Sequence, residues 1–199
     1  MDTLEYFQRN PMNNTPISFS TTMDRSERVG KALVVASVAH MGQTRKYTGE
    51  AYITHPIEVA SIVSSITSDQ EMIIAALLHD VVEDTSHTIE DIRRDFGEAV
   101  ASLVSDLTDV SVPEDGNRSV RKAIDLEHTA QASQRAHTIK LADLISNTKS
   151  IVQHDPGFAR IYMLEKRALL EVLVDGDPDL YNQAKTIVDD YFGGVGTNG

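Results

Sequence analysis

The run Ala75-Ala76-Leu77-Leu78-His79-Asp80-Val81-Val82-Glu83-Asp84-Thr85 sets one imidazole and three carboxylates into an otherwise apolar stretch. Ionisable groups in apolar surroundings are costly unless each has a partner. At helical spacing Ile73, Ile74, Leu77, Leu78, Val81 and Val82 form an apolar face. His79 with Glu83, and Asp80 with Asp84, then stand one turn apart on the opposite side. A neutral imidazole beside a carboxylate suits a divalent ion, and a further carboxylate pair one turn on suits activation of a water. Taken alone, the same residues also describe a helix end running into a solvated acidic turn, so companions elsewhere in the chain decide between the two.

One companion lies in Thr138-Ile139-Lys140-Leu141-Ala142-Asp143-Leu144-Ile145-Ser146-Asn147-Thr148-Lys149. Leu141, Leu144, Ile145, Thr148 and Ile151 make one stripe, while Lys140, Asp143, Asn147 and Ser150 make a polar one at three- and four-residue spacing. Another is His55, directly before Pro56 at the entrance of a helix, where proline is tolerated in the first turn. By itself Asp143 reads as a surface aspartate paired with Lys140. His40, His87, His128, His137 and His154 have no motif around them and read as structural or exposed.

The elements that must position these groups are all helical. With 199 residues, 41% hydrophobic, the chain can bury a core of its own as one domain. The boundaries we expect are a leader over 1–23, rich in Asn, Thr and Ser, a domain over 24–192, and a glycine-rich frayed tail over 193–199. The apolar periodicity predicts helices from Asp24 to Met41, from Thr54-His55-Pro56, and from the cap Asp69 through the central run. A capped helix follows over Thr88 to Phe96, then Gly97 to Thr108, Ser119 to Ala132, Gln134 to His154, Phe158 to Val174 and Pro178 to Phe192. No stretch alternates as a strand would, so the predicted fold class is an all-α, single-domain orthogonal bundle.

Composition removes several functions. The chain has no cysteine, so disulfides and thiolate metal sites are excluded, and any metal is left with His, carboxylate and water. A formal charge of −12 argues against broad nucleic-acid binding, which needs clustered cations to neutralise phosphates. The N-terminus has neither signal-peptide nor membrane-span character, which points to a cytoplasmic protein.

Together, His55 before Pro56, His79-Asp80 in an apolar helix, and Asp143 after Lys140-Leu141-Ala142 resemble the metal signature of the HD phosphohydrolase superfamily. More narrowly, the order Gln43-x-Arg45-Lys46, Tyr52-Ile53-x-His55-Pro56, Leu77-Leu78-His79-Asp80-x-x-Glu83-Asp84-Thr85, Leu107-Thr108-Asp109 and Lys140-Leu141-Ala142-Asp143-x-x-x-Asn147 is similar to the hydrolase domain of RelA/SpoT proteins. The match spans roughly Arg28 to Leu173, and no synthetase domain is expected after it. The resemblance is therefore to the stand-alone small alarmone hydrolases, the metazoan group included. It implies hydrolysis of the 3′-diphosphate of guanosine alarmones (ppGpp, pppGpp) with one manganese ion (Mn2+) per chain. It further implies His55, His79, Asp80 and Asp143 as ligands, Glu83 and Asp84 as the pair that orients and deprotonates water, and Asn147 beside water and substrate. Arg45 and Lys46 match positions that contact the nucleotide, with the guanidinium stacked on the base and the ammonium on phosphate. Lys140, Lys149, Arg160, Tyr162 and Lys166 are further candidates for the phosphates.

The chain departs from the family at Ala51, where a proline is common, and at Ser146, Thr148 and Lys149, where the long enzymes carry His, Met and Arg. These departures fall outside the metal set and bear on base preference and phosphate placement. They keep open hydrolysis of adenosine alarmones, or of another ribose-phosphorylated nucleotide such as NADPH. A different class, an HD module that binds a nucleotide without turnover, fits less well, because such modules lose ligands or the acid pair. The expected partner is a small nucleotide, with no nucleic acid and no membrane; a homo-oligomer is compatible with the sequence.

Overall fold

The computed structural model describes residues 24–195; the predicted leader, 1–23, and the last four residues of the predicted tail, 196–199, lie outside the described residues. Ten α-helices make up the described part: α1 (Arg25–Ala39), α2 (Thr54–Ile66), α3 (Gln70–Leu78), α4 (Val81–Asp84), α5 (Ile89–Phe96), α6 (Glu98–Leu107), α7 (Arg118–Ala130), α8 (Gln134–His154), α9 (Pro156–Val172) and α10 (Pro178–Val195). Short 3₁₀ turns at Pro113–Asp115 and Leu173–Asp175 complete the order. Among the described residues the β pairing is a single isolated bridge, Thr44 to Ala51. The molecule is thus the all-α bundle that the sequence predicts.

Most helices begin where a side chain can satisfy their orphan N–H groups. Asp69 accepts from the backbone of Glu71 and Met72 at α3, Thr88 and Asp91 form a reciprocal capping box at α5, and Ser133 accepts from Ala136 at α8. Asp155 caps α9 so that Pro156 takes its first position, two residues earlier than the expected start at Phe158. At the C-terminus α10 runs to Val195, past the expected end at Phe192.

One departure bears on the site. The predicted continuous helix through His79 and Asp80 is broken there into α3 and α4. The His79 imidazole takes the carbonyl of Ala76 at 2.8 Å, the acceptor that the Asp80 N–H would use in an uninterrupted helix. Asp80 then turns through φ −92°, ψ −6°, and α4 leaves in a new direction.

Helix α8 organises the bundle: Ile139, Leu141, Ala142, Leu144 and Ile145 are buried, and α2, α3, α6, α9 and α10 all pack on it. A helix covered on so many sides cannot turn its polar stripe to open solvent. Lys140, Asp143 and Asn147 therefore face a cleft. Preceding α2, residues 43–52 close on themselves through Arg45 N–H to Glu50 O at 2.8 Å and Tyr52 N–H to Gln43 O at 3.0 Å. Gly49, at φ +72°, takes the left-handed conformation that this tight return requires. Among the described residues no helix is long and apolar enough to cross a membrane.

Candidate metal centre

Three parts of the bundle aim their side chains at one point. His55 enters from the first turn of α2, His79 and Asp80 from the break between α3 and α4, and Asp143 from the middle of α8. His55 Nε2 lies 3.1 Å from Asp143 Oδ1 and 3.6 Å from Asp80 Oδ2. His79 Nε2 lies 3.0 Å from Asp80 Oδ2 and 3.8 Å from Asp143 Oδ1. Ligand atoms of His55, His79 and Asp80 all fall within 4.8 Å of one another, the one such grouping among the described residues. Both rings and Asp143 are buried.

These residues fit a divalent cation. The Nδ1 of His79 faces the Ala76 carbonyl, which only accepts, so in the neutral ring Nε2 is the bare nitrogen. That Nε2 is buried without a hydrogen-bond partner although carboxylates stand beside it. Two carboxylates and a lone pair directed at the same space repel unless a positive charge sits among them. The titration of the groups says the same. Burial disfavours charge on His79, but Asp80 and Asp143 outweigh it and raise its pKa well above the ordinary value. Burial likewise opposes ionisation of Asp80, yet His79 holds it down to about 2. Asp143 is held well below the carboxylate range, against its burial, by the His55 and His79 rings beside it.

Around this set lies a second layer. Tyr52 donates its hydroxyl to Asp80 Oδ2 at 2.7 Å. Asn147 donates to Asp143 Oδ1 at 2.6 Å and accepts from Arg45 Nη1 at 3.0 Å, which links the loop before α2 to Asp143 on α8. His55 Nδ1 lies 3.0 Å from Ser146 Oγ, whose hydroxyl donates to Glu58 Oε2 at 2.7 Å. Glu83 sits at the solvent-open mouth and accepts the Asp109 N–H at 3.2 Å. Partial desolvation on its inner side, with the Asp109 charge beside it, pushes its pKa up to about 7. Desolvation and the Asp80 charge raise Asp84 as well.

The predicted phosphate contacts divide. Lys140 reaches inward, donating to Leu107 O at 3.1 Å, and its pKa is raised against burial by Asp143, Asp109, Glu83 and Asp80. Lys166 packs its ammonium over the Tyr162 ring at 4.8 Å, and burial lowers its pKa. The Tyr162 hydroxyl is buried without a partner. Lys46 points outward, 74% exposed, toward Tyr47 and Asp155. Arg160 is exposed on α9, and the side chain of Lys149 lies outside the described residues. Of the unassigned histidines, His137 and His128 meet backbone carbonyls of Thr129 and Ser105, as structural groups do.

Three contributions escaped the sequence reading as site groups: the Tyr52 hydroxyl, the Asp109 N–H and the Glu58 carboxylate. Glu58 left the clearest signal, since it stands three residues after His55 on one helix face. A groove of about 820 Å³ lies elsewhere, between α1, α2 and α3, and no ionisable side chain lines it. A smaller cavity of about 260 Å³ adjoins the site and is lined by Arg45, Glu50, His55, Glu58 and Ser146 among others.

A family model described as HD domain matches residues 32–163. The chain is 37% identical over 134 residues to the guanosine-3′,5′-bis(diphosphate) 3′-pyrophosphohydrolase MESH1 of Drosophila melanogaster, covering 66% of this chain and 73% of the fly protein. It is 38% identical over 131 residues to the bifunctional (p)ppGpp synthase/hydrolase SpoT of Escherichia coli K12, covering 64% of this chain. The chain spans only 18% of that protein's length, and 17% of the Streptomyces coelicolor GTP pyrophosphokinase it also matches. A solved structure described as a metazoan ortholog of SpoT that hydrolyses ppGpp superposes with a TM-score of 0.75 at 29% identity, covering 86% of this chain and 98% of that one.

Proposed function

The chain belongs to the HD domain family, and from that premise we propose that it is a metal-dependent phosphohydrolase that cleaves the 3′-diphosphate from ppGpp or pppGpp, releasing pyrophosphate and GDP or GTP. The observation that carries the reading is the convergence of His55, His79, Asp80 and Asp143 beside a carboxylate, Glu83, whose pKa stands near neutrality. Those four groups are the proposed ligands, and Mn2+ is the proposed ion, since nitrogen and oxygen donors without sulfur suit a fairly hard divalent metal. When bound, such an ion supplies Lewis-acid activation of a phosphoryl oxygen and lowers the pKa of water.

The rest is done by the protein's own side chains. Glu83 takes a proton from the attacking water, for which a pKa near the working pH is best suited. The new P–O bond forms from the water oxygen as the bond from the ribose 3′ oxygen to phosphorus breaks, and the proton held by Glu83 is returned through solvent so that the 3′ oxygen leaves as a hydroxyl. Asp84 lies one residue on and shares the orientation of the water. Asn147, held between Arg45 and Asp143, keeps a fixed amide at the edge of the cleft. Lys140, and Lys166 on the Tyr162 ring, are the proposed phosphate cations, because both are drawn in among the carboxylates of the cleft rather than out to solvent. Anion binding by a chain of charge −12 depends on such local cations.

Guanosine and adenosine alarmones and NADPH, offered to the manganese-loaded protein and resolved by ion exchange, test the substrate. Pyrophosphate released from guanosine alarmones ahead of the others is the expected result; turnover of the others alone would overturn it. The same assay separates the two loop cations. Arg45→Ala removes a nucleotide contact and also frees Asn147, so it is expected to lower kcat as well as raise KM, to different extents for guanosine and adenosine substrates. Lys46→Ala removes an exposed charge, so it is expected to raise KM about equally for both and to flatten its salt dependence, with kcat unchanged. Equal kinetics in both variants and the wild type would leave this loop out of recognition.

A further inference from the structure

We propose that Ser146 and Glu58 form a positioning pair that fixes the tautomer of His55, keeping Nε2 bare toward the metal centre. The inference rests on the reading of His55 as a ligand, and assigns a role to residues on the far side of its ring. Ser146, counted among the departures that bear on phosphate placement, is 3% exposed behind His55, itself 2% exposed.

The direction of the hydrogen bonds carries the argument. A hydroxyl has one proton to donate. Ser146 gives it to Glu58 Oε2 at 2.7 Å, and a carboxylate has none to return. At 3.0 Å from Ser146 Oγ, His55 Nδ1 must then be the donor, which puts the ring proton on Nδ1. Nε2 is left with its lone pair directed at the space shared with Asp143 and Asp80, 3.1 and 3.6 Å away. Without Glu58 the hydroxyl could turn and donate to Nδ1, which would place the ring proton on Nε2, where it blocks a cation. Burial of His55 and Ser146 keeps water from replacing the bond between them. The pair also ties two ligand-bearing helices together, since Glu58 follows His55 by three residues on α2 and Ser146 follows Asp143 by three on α8. His79 needs no such device, because the Ala76 backbone carbonyl fixes its tautomer. Outer partners of this kind are worth about 10- to 100-fold in metal affinity.

The test is made on the full chain. Chelator competition gives the Mn2+ dissociation constant of the wild type, Ser146→Ala, Ser146→Thr and Glu58→Ala, and ¹⁵N ring shifts of His55 in the metal-stripped protein report the tautomer. Both alanine variants are expected to bind Mn2+ about 10- to 100-fold more weakly, with Ser146→Thr within a few fold of wild type. The His55 ring should be Nδ1–H in the wild type and mixed in Glu58→Ala. Glu58 is exposed on α2, so its variant keeps the test valid should Ser146→Ala misfold. Wild-type Mn2+ affinity and an unaltered tautomer in Glu58→Ala would overturn the pair. Weakened binding in variants of a protein that leaves guanosine alarmones intact would uphold the pair and overturn only the proposed substrate.

Discussion

Glu83→Gln is expected to lower kcat by about 10²- to 10⁴-fold with little change in KM or metal content, the size of a general-base contribution. The amide keeps the shape of the side chain and can still accept the Asp109 N–H, so the loop after α6 stays in place. What disappears is the ability to take a proton. The same substitution is expected to raise the melting temperature at neutral pH. In the folded protein the Glu83 pKa is about 7, against 4.5 for an ordinary glutamate. Folding therefore favours the protonated form, and its stability contribution is complete below about pH 4.5 and lost as pH rises through about 7. Glutamine has no charge to desolvate, so the variant should match the wild type near pH 4.5 and exceed it increasingly toward pH 8. The gain is at most about 1 kcal/mol, because Glu83 opens to solvent on one side and is screened there. In the wild type, kcat/KM should fall as pH drops through the pKa of Glu83, and a nearby dication moves that limb below pH 7. Thermal melts across pH 4.5 to 8, beside kinetics, decide the matter. Unchanged kcat would remove Glu83 from the role of base, and metal loss would move it among the ligands.

That coincidence of low stability and activity is the general condition of such a site, and it also decides what sequence reasoning can find. The bounds of α8 are legible because caps and apolar periodicity agree on Gln134 and His154. The break after Leu78 is not, because it depends on a side chain taking a backbone carbonyl, and periodicity carries no trace of that choice. The start of α9 at Pro156 is signalled by the Asp155-Pro156 pair, whereas apolar periodicity alone begins only at Phe158. In the site, His55, His79, Asp80 and Asp143 are recognisable because each stands in a short local pattern. Tyr52 to Asp80, Asp109 to Glu83 and Arg45 to Asn147 join distant parts of the chain, and only the packing of α2 and α3 on α8 brings them together. Ser146 shows the cost of reading by motif alone. Its neighbour Asn147 faces the cleft, whereas Ser146, one residue earlier and about 100° around the helix, reaches the back of His55.

Asp143→Asn is expected to abolish turnover and to weaken metal binding by at least about 10²-fold. The asparagine carbonyl can still accept from Asn147, so the Arg45–Asn147 link survives and the loss reports the carboxylate charge alone. Partners that only orient a ligand are worth about 10- to 100-fold in metal affinity, so removing the charge of a direct ligand is expected to cost at least the upper end of that range. The fold offers an independent reading of the same event. A ligand that binds only the native state stabilises it by about 2.7 kcal/mol at a hundredfold excess over its dissociation constant, so a chelator should lower the melting temperature of the wild type. In Asp143→Asn the chelator should shift it far less, because little metal is bound to remove. The metal-stripped wild type carries two carboxylates and two imidazoles in one buried space, so the stripped variant, with one charge fewer, should melt no lower than the stripped wild type by more than the lost attraction between Asp143 and the rings. Metal content, turnover and chelator-dependent melting of both proteins settle the point: full turnover in a metal-free wild type, or a metal-replete Asp143→Asn with wild-type turnover, would remove Asp143 and its charge from the centre of the chemistry.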